Sequence, residues 1–430
     1  MKGQFFWWLF SCFLFISCHE KRVTFNEDVA PIIFQNCSSC HRADGIAPFT
    51  FSNFADVSEH AQLIKKVTKS GYMPPWNADP SYSNFLQEKF LTKEEKRLIS
   101  KWVEQGALEG EGPAMNMSNH ISKENKPEPD LVVCMEKAYH ISDDGVDDYR
   151  TFVVPLKLDK PRFVNAVEFV PGNPKAVHHA WVFIDTTGAL FEFSEPDGKY
   201  GLDSFKGMKS KIIGMLYGYM PGYTSAMNFP EGTGKLLFEN TYLIFNLHYS
   251  SSSKKQEDQS CIHLYFSDQD HLRQVEAMAI KEESLVNPPL FIPAYEQKDF
   301  KIEKKLDKDI SVISIYPHMH FRGKSFWAYA TTHDQTTIPL IRINNWDFNW
   351  QSAHTFKKLV VIPEGSIIHV EAKFDNTASN PFNPIIPPKD AERGNSSYDE
   401  MLGLGIEYLN YLPRDEFMLI DEKKPMHPDS

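Results

Sequence analysis

Tyr242-Leu243-Ile244-Phe245-Asn246-Leu247-His248-Tyr249 is the stretch on which the fold turns. Its aliphatic and aromatic residues read as a short β-strand, and similar runs recur along the chain. They are Phe152-Val153-Val154-Pro155-Leu156, Trp181-Val182-Phe183-Ile184, Ser311 to Tyr316, and Ile367-Ile368-His369-Val370-Glu371. Turn-rich segments separate them and no long amphipathic helix intervenes. Residues 130 onward therefore predict antiparallel, all-β packing of the jelly-roll or sandwich kind rather than alternating α/β. The proline-rich Asn287-Pro288-Pro289 and Ile292-Pro293 break the strand pattern, which places one β domain at 130–287 and a second at 288–430.

Upstream the pattern becomes helical. Thr92 followed by Glu95 forms a capping box, and Leu98, Ile99, Trp102 and Val103 then recur at helical spacing. Asn26 is a candidate cap ahead of Val29, Ile32 and Ile33. A small all-α domain over 23–107 is expected, joined to the β region by a polar, Gly- and Pro-rich linker at 108–129. A chain of 430 residues exceeds one ordinary core, in keeping with several domains.

Phe5 to Cys18 is apolar or small after a single Lys2, too short to span a bilayer but suited to a signal peptide over 1–22. Export is expected, to a bacterial periplasm or to a membrane-anchored lipoprotein form. Leu14-Phe15-Ile16-Ser17-Cys18 looks like a lax lipobox with Cys18 as lipid acceptor, against a plain signal peptide cut nearby. The net charge of -12 argues against a nucleic-acid partner, since phosphate binding needs clustered Lys and Arg.

Of the six cysteines, Cys12 and Cys18 fall in the leader, and Cys134 and Cys261 could pair in an oxidising compartment. The remaining two lie in Cys37-Ser38-Ser39-Cys40-His41, the C-x-x-C-H arrangement of covalent haem attachment, against a zinc or redox C-x-x-C or a chance match. Both thiols form thioethers there, and the adjacent His is an axial ligand. Met73, in Gly71-Tyr72-Met73-Pro74-Pro75-Trp76, is the candidate for the second axial position, with His60 as its main competitor. This segment resembles a small class I cytochrome c domain.

Histidines gather in three places in the β region. His178 and His179 are neighbours, and adjacent strand residues face opposite ways, so both can reach one ion only at a strand end or bend. The Pro and Gly just upstream favour a bend. His248 stands alone in its strand. His318 and His320, two residues apart, project from one strand face toward a common ion.

Together with Met401 in Tyr398-Asp399-Glu400-Met401, these clusters resemble the copper type II, ascorbate-dependent monooxygenases. That is the family of peptidylglycine α-hydroxylating monooxygenase and dopamine β-monooxygenase, and the match runs from about Asp130 to Glu416. The resemblance implies an electron-storing copper on His178, His179 and His248. It implies a second copper, which binds O2 and substrate, on His318, His320 and Met401. Imidazole and thioether donors suit copper cycling between two oxidation states. The implied activity is hydroxylation of a C–H bond in a small molecule, with O2 as co-substrate and two electrons per turnover. The expected reductant is ascorbate or a redox protein; separately, because one chain holds both modules, the haem is expected to relay single electrons to the three-histidine copper.

Tyr316 stands where the peptidylglycine enzyme carries an Arg that holds a substrate carboxylate, so a peptide C-terminus is not the expected substrate. Arg322 is either an anion-binding residue or a surface Arg. Trp346-Asp347-Phe348-Asn349-Trp350 and Asn380-Pro381-Phe382-Asn383-Pro384 shape the fold or a loop over the sites. The competing functions are a non-catalytic periplasmic electron-transfer or copper-binding protein, and an oxidase that forms peroxide.

Overall fold

The computed structural model describes residues 22–43, 45–112, 127–188, 200–203, 214–221, 226–250, 254–269, 272–394 and 396–420. The leader cysteines Cys12 and Cys18, and residues 113–126 of the expected linker, lie outside the described residues. β-Sheet is the dominant regular structure of the described chain.

Four helices precede the sheets: α1 (Ala30–Cys37), α2 (Phe54–Glu59), α3 (Ala61–Ser70) and α4 (Lys93–Glu104). The Thr92 hydroxyl accepts the Glu95 N–H and the Glu95 carboxylate accepts the Thr92 N–H, so α4 starts at the expected capping box. It buries Ile99, Trp102 and Val103. Asn26 does not cap α1. A π-turn over Phe25–Val29 runs directly into the helix, and the Asp28 carboxylate accepts the Thr24 N–H instead. Phe25, Ile33, Val57, Ile64, Ile99 and Trp102 form a core shared by these helices.

The longer strands are β1 (Leu131–Cys134), β2 (Asp148–Pro155), β3 (Arg162–Val170), β4 (Val177–Asp185), β5 (Gly214–Tyr219), β6 (Thr233–Leu237), β7 (Tyr242–Tyr249) and β8 (Cys261–Phe266). They continue with β9 (Glu276–Lys281), β10 (Gln297–Lys305), β11 (Ile310–Met319), β12 (Gly323–Thr331), β13 (Thr337–Ile343), β14 (His354–Ile362), β15 (Ile367–Asp375) and β16 (Leu402–Asn410). One sheet runs β1-β8-β3-β6 and its mate β2-β7-β4-β5, with one common core between them. A second pair, β9-β16-β11-β14 and β10-β15-β12-β13, encloses another. Cys134 and Cys261 are register partners in β1 and β8 and form a disulfide.

Two placements depart from the expected division. β9 lies ahead of the break expected at 287/288, yet it pairs with β16 in the second sheet pair. Ladder hydrogen bonds, not the Pro-rich stretch, decide which half it joins. The other concerns residues 76–88, expected inside the helical region. Ala78 bridges Ile343 on edge strand β13, and Phe85 bridges Phe356 on edge strand β14. This strap covers one exposed edge of each sheet. Phe85 is 1% exposed within the second β core, a burial that contributes about 1.5–3 kcal/mol. Asp79 adds an ion pair to Arg342 at 2.8 Å.

Candidate metal centre

The neighbouring histidines converge because the sheet is irregular where they sit. His248 on β7 stands opposite His179 on β4, but Tyr249 stands opposite Val177, so His178 is the extra residue of a β-bulge. A bulge reverses the alternation of side chains locally, which turns His178 toward the side that His179 already faces. This is the bend that the His-His pair required.

His178 Nδ1 lies 3.3 Å from His179 Nδ1, and His248 Nδ1 lies 3.3 Å from His179 Nδ1. Two nitrogens each about 2.0 Å from one ion at a tetrahedral angle are themselves about 3.3 Å apart, so the spacing fits a single metal. Among the described residues these three form a group of possible metal ligands whose donor atoms all lie within 4.8 Å of one another. Asp147 Oδ2 accepts from His248 Nε2 at 2.9 Å, which leaves the Nδ1 lone pair free for an ion. The Tyr149 ring stacks on His248 at 4.0 Å.

Burial pushes the His178 imidazole down to about 4, and the neighbouring His248 adds to the effect. His179 is pushed well below the ordinary range by burial, then by His248, His178 and His318. Neutral imidazole is the form that ligates metal.

His318 and His320 sit at the end of β11 and just beyond it, with ring centroids 5.1 Å apart. His318 Nδ1 donates to Gln351 Oε1 at 2.7 Å, and the Gln351 amide is oriented by its own bond to Phe348 O. His320 Nδ1 meets Asp399 O at 3.2 Å. Both rings therefore keep Nε2 for a ligand. Burial lowers His318 against the opposing Gln351 bond, and pushes His320 down to about 3, with His318 adding to it.

Met401 precedes β16. Gly403 pairs with His318 and Leu402 with Met319, so the antiparallel count brings Met401 opposite His320. Glu400 ties this point down: its carboxylate accepts the N–H groups of His320 at 3.2 Å and Arg322 at 2.9 Å. Burial raises Glu400 to about 8, against the pull of these N–H groups and of Arg322. Arg322 is not a surface residue. Its side chain is fully buried, 3.5 Å from Glu400, bonded to Asn376 and to the Tyr398 carbonyl, and so it clamps the loop before Met401.

The segment 346–351, given no chemistry from sequence, touches both histidine groups. The Trp350 ring lies 6.1 Å from His178, Gln351 holds His318, and Trp346 Nε1 donates to His320 O. Asn77 of the strap donates to Trp350 O at 2.9 Å. Asp147 and Gln351 had no signal in the sequence beyond being polar.

At the helices, α1 ends on Cys37, and the N–H groups of Cys40 and His41 turn back to the Cys37 carbonyl. Cys37 and Cys40 are not joined in a disulfide, and burial pushes the Cys37 thiol up to about 12, with Cys40 adding to it. His41 Nδ1 meets Phe49 O at 3.1 Å, and its ring stacks on Phe51 at 4.3 Å. Phe49 also stacks on His60 at 4.0 Å, which links the two histidines. Met73 follows α3, with its N–H on the Val67 carbonyl.

No family model and no curated protein matches this chain. Among solved structures it is similar to infectious bursal disease virus, Gx strain, at 8% identity and a TM-score of 0.19, over 67% of this chain and 74% of that one. For the major capsid protein P2 of bacteriophage PM2 the values are 8% and 0.22, over 63% and 100%. For the PBSX exported protein XepA they are 10% and 0.12, over 54% and 88%. At these TM-scores the likenesses carry no argument about fold or function.

Proposed function

We propose that the chain is a copper-dependent monooxygenase that hydroxylates a C–H bond of a small molecule with O2, with electrons entering through a covalent haem c. The observation that carries this reading is the convergence of the His178, His179 and His248 Nδ1 atoms at metal-ligand spacing. The His318 and His320 pair, with Met401 opposite, supports it as the second site.

In this reading His178, His179 and His248 would hold the electron-storing copper, and His318, His320 and Met401 the copper facing O2 and substrate. Cys37 and Cys40 would carry the haem thioethers and His41 the axial position, with Met73 as the sixth ligand. Bound copper supplies one-electron chemistry toward O2 and a C–H bond, and haem c supplies single electrons. Asp147, Gln351 and the Asp399 carbonyl fix which imidazole nitrogen bears the proton. Burial favours the neutral form of His178, His179, His318 and His320. The helices would then be a class I cytochrome c domain and the two sheet pairs the copper domains. Export, the Cys18 lipid anchor and an ascorbate or protein reductant belong to the same proposal.

His60 has one observation in its favour as the sixth ligand, the Phe49 ring it shares with His41. Met73→Ala should turn a low-spin haem spectrum high-spin or ligand-exchanged; an unchanged spectrum assigns the position to His60. The main test is haem and metal analysis of periplasmically matured protein, followed by turnover under 18O2. Two coppers and one haem per chain, with label in an organic product, are expected. Fewer than two coppers overturns the reading, label only in peroxide makes the protein an oxidase, and no O2 use leaves an electron-transfer protein.

A further inference from the structure

The two histidine groups lie on different sheet pairs, and an aromatic pair spans the gap between them. Trp181 is two residues after His179 on β4, and the two rings stand 6.3 Å apart at 62°. Tyr316 is two residues before His318 on β11, so the two share a strand face. The Trp181 and Tyr316 rings meet edge-on, 6.3 Å apart at 74°.

Both rings occupy slots opened by glycine on a neighbouring strand. A Cβ at Gly218, the β5 partner of Trp181, would lie 2.6 Å from the indole. A Cβ at Gly405, the β16 partner of Tyr316, would lie 3.3 Å from the tyrosine Cβ and ring. The phenol is also provided for. Tyr316 donates to Glu407 Oε2 at 2.7 Å, the same oxygen accepts from Ser314 at 2.6 Å, and Lys235 of the other sheet pair binds Glu407 Oε1. Tyr316 and Glu407 are 8% and 2% exposed, so water does not compete for this hydrogen bond.

We propose that Trp181 and Tyr316 form an electron bridge between the three-histidine site and the His318/His320 site, with Glu407 as the proton acceptor of Tyr316. This rests on the reading above that both sites hold copper, which supplies the reductant at one end and the oxidant at the other. Tyr316 yields one electron toward the His318/His320 site while its phenolic proton shifts to Glu407 Oε2. Trp181 returns one electron drawn from the three-histidine side, and the proton goes back along the same hydrogen bond. The net transfer is one electron between the sites, with Tyr316, Trp181 and Glu407 restored and no proton lost to solvent.

Two measurements test it, each on the full chain with the conservative variants Tyr316→Phe and Trp181→Phe, whose folding is checked by denaturant midpoint. In metal-free protein exposed to a photogenerated one-electron oxidant, EPR should show a tyrosyl radical that Tyr316→Phe removes and Trp181→Phe diminishes. A radical of equal size in wild type and Tyr316→Phe overturns the bridge. In copper-loaded, fully reduced protein mixed with O2 and freeze-quenched, oxidation of the three-histidine copper should slow about tenfold or more in either variant at unchanged copper content. An unchanged rate in both, or slowing by Trp350→Phe in place of these two, also overturns it. A chain that binds fewer than two coppers fails the functional reading instead, and the photochemical result then decides the bridge alone.

Discussion

The three-histidine group and the His318/His320 group use opposite means to bring imidazoles together. The first breaks the strand's alternation with a bulge and adds a cross-strand neighbour, which gives three ring nitrogens from two adjacent strands. The second keeps the alternation, takes two imidazoles from one strand, and leaves the rest of the site to Met401 on a clamped loop. Ladder pairing thus holds His179 and His248, and His178 is fixed as the bulge residue between the paired His179 and Val177. The second depends on a buried ion pair. The first should accordingly be the more rigid and the second the one whose ligand set responds to its surroundings.

His248→Ala tests this contrast with the largest expected effect. With one of three imidazoles gone, metal affinity at the bulge site should fall by more than about a hundredfold, since even outer partners of a ligand cost about 10–100-fold. Competitive copper titration measures it, and wild-type affinity would dissolve the contrast.

Next comes Arg322→Leu, which leaves Glu400 buried beside His320 without its cation. Denaturant unfolding should show a loss of about 3–5 kcal/mol. Copper EPR should change at the His318/His320 site alone; a matching change at the three-histidine site would mean that the clamp serves both.

A smaller, graded effect separates the outer partners. Gln351→Leu and Asp147→Asn should each weaken metal binding within the range of about 10–100-fold, with Gln351 the greater. Gln351 is buried, whereas the Asp147 side chain is 41% exposed and water can replace it. Equal losses would rule out exposure as the cause.

The smallest effect at neutral pH belongs to His354, buried between Trp76 and Phe85 where the strap meets the second sheet pair. Burial pushes its imidazole from 6.5 down to about 3. The unfolded chain gains a proton below 6.5 that the folded chain refuses, so stability contributed by His354 is intact above 6.5 and is lost as pH falls toward about 3. Urea midpoints across this range should decline by at most about 1.4 kcal/mol per pH unit from this group. His354→Phe should flatten that share, and an unaltered slope would place the acid sensitivity elsewhere.

Local chemistry in this chain was readable and distant chemistry was not. Helix α4 follows from Thr92 and Glu95, four residues in a row of sequence, and the need for a bend at His178-His179 follows from strand periodicity alone. The bulge that meets this need depends on how β7 pairs with β4, seventy positions apart, and no local pattern encodes that register. Arg322 reads as exposed because its neighbours are ordinary; only Glu400, Asn376 and Tyr398, brought in from the other end of the half, bury it. Residues 76–88 read as part of the helical region because their partners, Arg342, Ile343 and Phe356, lie far downstream.

The strap also sets an order of assembly. Asp79 and its partner Arg342 are 263 positions apart, and among the described residues the strap lies on the edge strand β13 and shares the edge of β14 with residues 418–420. An N-terminal segment made early must wait uncommitted until the last third of the chain has been synthesised. Contacts of such long sequence separation form slowly and leave sheet edges open meanwhile. The second half of this protein should therefore be its slowest part to mature, and a version lacking the residues before 90 should lose that half's solubility along with α1, α2 and α3.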